Sequence, residues 1–144
     1  MDKKVLCQLA EGLQTIGEGL GFTNRVIRKS LGVSEIYVVN RHALQLEVDW
    51  RENNLFMYAV YLKNKGVPDK GVLYHYGDGH WCRKYLEEIC VVKRPITKDC
   101  DRRYSSAYLF DCFAFYADLI NTNKDILKNF GVTGNLDIFL NDRL

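Results

Sequence analysis

The densest group of chemically capable side chains is His75-Tyr76-Gly77-Asp78-Gly79-His80-Trp81-Cys82. Two imidazoles, a carboxylate and a thiol are all donors that a zinc ion accepts, and Gly77 and Gly79 would let the backbone gather them. Their spacing follows no established zinc pattern, however, and no metal ligand is assigned. Cys82 also falls near the start of a helix expected from residue 81. There the helix dipole favours a thiolate, with His75 or His80 as base. That defines one reading, a small metal-binding or cysteine-dependent enzyme centred on His75, Asp78, His80 and Cys82. The plainer reading is a Gly-Asp-Gly turn between a strand and a helix, with Asp78 as the cap.

A second group is acidic. Glu47, Asp49 and Glu52 stand close in sequence with Arg51 among them. Glu47 and Asp49 alternate with apolar residues, so both project from one strand face, about 6.5–7 Å apart at Cα. Paired carboxylates at that distance serve general acid–base chemistry or hold a divalent cation. A charged docking stripe is less demanding, because electrostatic complementarity with a basic partner needs no fixed geometry.

A third group is basic: residues 93–104 hold Lys93, Arg94, Lys98, Arg102 and Arg103, followed by Tyr104. Cations beside an aromatic ring can track a phosphate backbone and stack a base. Asp99 and Asp101 dilute the run, no nucleic-acid motif accompanies it, and the net charge of the chain is only +2. Nucleic-acid binding is therefore not expected. Phosphate-cradling glycine loops, Gly-x-Ser-x-Gly and His-Glu-x-x-His are all missing, which removes the commonest enzyme signatures. No cofactor is called for.

Tyrosine and tryptophan carry the remaining potential. With 9 Tyr, 7 Phe and 2 Trp the chain is 12% aromatic, and such side chains bury large areas at interfaces while keeping a polar handle. Tyr58 and Tyr76, with Glu47, Asp49, Arg51 and Glu52, make up the expected partner-binding set.

These groups need a scaffold. A length of 144 residues with 47% apolar and 26% charged residues suits one domain, 1–144, with its own core. No secretory leader and no apolar run of about 20 residues is visible. Five widely spaced cysteines without a Cys-x-x-Cys suit reduced, mostly buried thiols. A cytoplasmic protein away from the membrane is expected.

Residues 3–20 read as a helix, with Val5, Leu6, Leu9, Leu13, Ile16 and Leu20 on one face. Gly19 or Gly21 would end it. Extended segments follow at residues 22–28, 36–39, 44–50 and 55–62, joined by turns at Gly32, at residues 40–42 and at residues 52–54. The segment 44–50 alternates strictly, so Leu44, Leu46, Val48 and Trp50 face a core while Gln45, Glu47, Asp49 and Arg51 face water. Segment 55–62 is apolar on both sides and belongs in the middle of a sheet. A fifth strand is expected at residues 72–76. Helices are then expected from residue 81 to about 92, from residue 107 to 121 under a Ser105 or Ser106 cap, and from 126 to 131, with a docked tail at 134–144. The fold class is α+β: an N-terminal helix, an antiparallel meander of four or five strands, and C-terminal helices packed on one face.

The layout, together with Leu-Gln-Leu-Glu-Val-Asp-Trp-Arg-Glu-Asn-Asn-Leu-Phe-Met-Tyr-Ala-Val-Tyr-Leu from Leu44 to Leu62, resembles small bacterial immunity proteins of polymorphic or contact-dependent toxin systems. The resemblance implies a cytoplasmic toxin inhibitor that binds a cognate protein toxin and has no catalysis of its own. Immunity proteins against nucleases are often acidic, whereas this chain is slightly basic, and no binding residue is carried over.

Overall fold

The computed structural model describes residues 1–62, 82–95 and 105–133. The first helix, α1, spans Lys3–Glu18, and Asp2 caps it by accepting from the amides of Lys4 and Val5 at 3.0 and 3.1 Å. Its apolar face, Val5, Leu6, Leu9 and Leu13, is buried. Gly21, at φ +89°, supplies the left-handed turn that redirects the chain into the sheet.

Five strands follow: β1 Asn24–Ser30, β2 Val33–Val39, β3 Ala43–Asp49, β4 Asn54–Tyr61 and β5 Cys82–Tyr85. They form one antiparallel sheet in sequence order, each strand beside its neighbour in the chain. The α+β meander expected from the strand spacing is therefore observed. The helices after β5 are α2 Leu86–Ile89, α3 Ser106–Thr122 and α4 Lys124–Thr133. Ser105 caps α3 through the Ala107 amide at 3.0 Å, as its position suggests.

Two corrections concern the middle of the chain. The helix expected over 81–92 is instead a short strand followed by four helical residues. Tyr85 pairs with Tyr58 and Arg83 with Val60, so Tyr85 belongs to a strand and not to a helical face. The strand facing water at 44–50 is the central strand, and Gln45 is wholly buried. The strand expected at 72–76 and the tail at 134–144 lie outside the described residues.

Burial of Gln45 follows from a sheet with two apolar sides. On the helix side, Ile36, Val38, Leu44, Leu46, Val48, Leu55, Met57 and Ala59 meet α1, α3 and α4. On the opposite side, Tyr37, Ala43, Tyr58, Val60 and Leu62 form a second cluster. Each fully buried aliphatic side chain contributes roughly 1.5–3 kcal/mol, so the larger cluster dominates stability. The smaller one surrounds the polar residues considered next.

Candidate functional site

On the sheet face opposite the helices, one row of side chains crosses all five strands in register: Val26, Tyr37, Gln45, Tyr58 and Tyr85. The adjacent row holds Arg28, Glu35, Glu47 and Phe56. Strand alternation puts these residues on one face, and antiparallel pairing sets them side by side.

Arg83 joins the two rows. Its guanidinium donates to Gln45 Oε1 at 3.2 Å and to Glu47 Oε2 at 3.0 Å. It also lies over the Tyr58 ring, 4.0 Å from the centroid, an arrangement that draws on the ring quadrupole. The amide of Gln45 donates to Glu35, which accepts from the Tyr37 hydroxyl at 2.7 Å as well. A buried glutamine is thus satisfied from both ends. Tyr85 stacks at a tilt on Tyr58, 4.6 Å between centroids, and meets Phe56 edge-on at 5.9 Å. Burial raises the Tyr58 pKa far above an ordinary phenol's, and the Glu47 carboxylate adds to the shift. Tyr58 therefore stays protonated at any physiological pH.

The expected partner-binding residues separate in space. Glu47 and Tyr58 come together around Arg83, with the Glu47 side chain 21% exposed. Asp49 sits at the end of the strand, where its carboxylate accepts from the amides of Arg51 and Glu52 and lies 3.6 Å from Arg51 Nε. Its first task is to hold the β3–β4 turn. Arg51 and Glu52 are exposed on that turn. The carboxylates thus form no bare acidic stripe: Glu47 has Arg83 beside it, and Asp49 has two amides. Tyr76, His75, Asp78 and His80 lie outside the described residues, as does the side chain of Cys82. Among the described residues, no group of three or more His, Cys, Asp or Glu side chains is placed to hold a metal ion. Among them, too, no helix is long and apolar enough to cross a membrane.

Sequence reasoning overlooked Arg83, Tyr85, Glu35 and Gln45. The alternation Arg83-x-Tyr85 was available as a signal, but a four-residue strand leaves too little pattern to separate it from a helical turn. It also read Arg94 only as part of the basic run at residues 93–104. Arg94 instead turns inward and donates to the Leu55 carbonyl at 2.6 Å, Asn54 Oδ1 at 2.7 Å, the Tyr116 hydroxyl at 3.2 Å and the Tyr108 hydroxyl at 3.4 Å. Burial opposes its charge, yet Tyr116, Cys112 and Tyr108 outweigh that and raise its pKa. The Tyr116 hydroxyl in turn donates to Glu87 at 3.0 Å.

Of the described thiols, Cys112 is buried, Cys90 is half-buried and Cys7 is exposed. Burial, and then the Glu87 carboxylate, raise the Cys90 pKa, the reverse of what a nucleophile needs.

No family model, no curated protein and no solved structure matches the chain.

Proposed function

We propose that the chain is a protein-binding module that acts as an immunity protein, occupying and neutralising a cognate toxin without catalysis of its own. The observation that carries this reading is the setting of Arg83, held between Gln45, Glu47 and the Tyr58 ring beside the exposed Tyr85. Arginine and tyrosine dominate interface hot spots, and a guanidinium already fixed by its neighbours loses little rotamer freedom on binding. Phe56 and Tyr85 supply aromatic surface next to that charge. A cytoplasmic location is part of the same proposal.

The test is protection. Cells expressing the chain should survive a toxin domain encoded beside it, and the two proteins should form a one-to-one complex. Arg83→Ala with Tyr85→Ala should weaken that complex by about thirtyfold or more, as loss of hot-spot residues does, with the far-UV CD spectrum unchanged. Unaltered affinity in a folded double variant, or failure to protect, overturns the proposal.

A further inference from the structure

Among the described residues, β1 forms one border of the sheet and pairs only with β2. Five of its seven residues are exposed, Asn24, Arg25, Ile27, Lys29 and Ser30. A border strand of this length presents a row of backbone donors and acceptors to any extended chain that can lie beside it. Its charge is one-sided: Arg25, Arg28 and Lys29 lie within five residues, with no acidic residue in the strand. Arg25 is bonded to Gln14 of α1 at 2.8 Å. Arg28 differs, because its Nε is buried without a hydrogen-bond partner among the described residues.

We propose that β1 receives an acidic, extended segment of a partner protein as a sixth strand. Carboxylates at alternate positions would meet Arg28 on one face, and the partner's apolar positions would lie on the other face over Ile27, which is 38% exposed. A second copy of this chain is the poorer occupant, since two β1 strands would set Arg25, Arg28 and Lys29 against the same cations. Basic side chains on a border strand thus hold off self-association while drawing in a partner of opposite sign. The inference rests on the protein-binding reading but uses a different surface from Arg83 and Tyr85, so each can fail alone.

The test uses the full chain and a capped peptide of roughly nine residues alternating Glu and Val, with a Lys/Val peptide as control. The Glu/Val peptide should bind saturably and slow amide hydrogen exchange across Asn24–Ser30. Affinity should fall about tenfold in the Arg28→Glu, Lys29→Glu variant, and again as salt rises from about 50 to about 300 mM. The variant's folding is checked by its thermal melt. Equal binding of both peptides overturns the proposal, as does peptide binding that leaves β1 exchange unchanged. So does concentration-dependent protection of β1 without peptide, which would name a second copy as the occupant.

Discussion

Arg94 reaches back from the segment after α2 and closes onto the main chain of β4, its Nη1 2.6 Å from the Leu55 carbonyl oxygen. The contact fastens a helical connection to the end of the sheet through a residue that local sequence marks only as basic. Its other nitrogen bonds Asn54, which opens the same strand.

Replacing Arg94 should therefore act on stability. Arg94→Met removes the guanidinium donor from the Leu55 carbonyl and leaves Asn54 Oδ1 with the Leu55 amide alone, and bonds to a charged group are worth about 1.5–3 kcal/mol in such settings. The expected loss is about 2–3 kcal/mol in urea unfolding. Arg94→Lys should recover less than half, because an ammonium cannot reproduce the planar fork. Full stability in either variant would refute this account.

His42 gives a signed pH dependence. Its Nδ1 accepts from the Leu62 amide at 3.0 Å, and its ring stacks on Tyr61 at 4.6 Å. An acceptor nitrogen must be unprotonated, and burial, aided by Arg41, lowers the pKa below 6.5. The unfolded chain thus takes up a proton before the folded one does. The contribution of His42 is complete above about pH 6.5 and is lost as pH falls through the folded pKa. His42→Asn, whose side-chain oxygen can replace Nδ1 as acceptor, should flatten the urea midpoint between about pH 5 and 7. A wild-type midpoint that climbs as pH drops over that range would contradict the assignment.

Gly131 and Phe22 form a tight pair. A Cβ on Gly131 would stand 2.5 Å from Phe22 Cζ, and the Gly131 carbonyl accepts from the amides of Arg41 and His42. Gly131→Ala should cost about 1–3 kcal/mol by overpacking. Adding Phe22→Leu should make the double variant more stable than the sum of the single effects, the coupling expected of residues in contact. Additive thermal shifts would argue against it.

Glu47 and Arg83 should show a modest, salt-dependent coupling. Their side chains keep 21% and 26% exposure at a separation of 3.0 Å, so water screens part of the attraction. A double-mutant cycle with Glu47→Gln and Arg83→Met should give about 1 kcal/mol, smaller in high salt. A coupling near zero at low salt would mean that Gln45 and the Tyr58 ring hold Arg83 by themselves.

How far the chain could be read beforehand depended on pattern length. Seven-residue strands and the sixteen- and seventeen-residue helices α1 and α3 repeat their periods often enough to stand out. β5, with four residues, does not. The alternation around Gln45 was seen correctly, but its polar side was assigned to water. That inference fails when a sheet carries apolar clusters on both sides, because a polar residue is then admitted wherever partners satisfy it, as Glu35 and Arg83 do here. The inward turn of Arg94 escapes local pattern for a related reason: its acceptors are the Leu55 carbonyl, the Asn54 side chain and two tyrosine hydroxyls, all distant in sequence.

The apolar character of β4 on both sides has a consequence for strand alignment. Sliding β4 by one residue against β3 would exchange one set of greasy side chains for another, Leu55, Met57 and Ala59 for Phe56, Tyr58 and Val60, so hydrophobicity alone gives little guidance. Moving β3 by the same step would drive Gln45 and Glu47 toward the helices, stripped of Arg83 and Glu35, at a cost of several kcal/mol for the carboxylate alone. The polar lattice on the far face thus works as a vernier for the sheet, selecting one alignment from several that grease would tolerate.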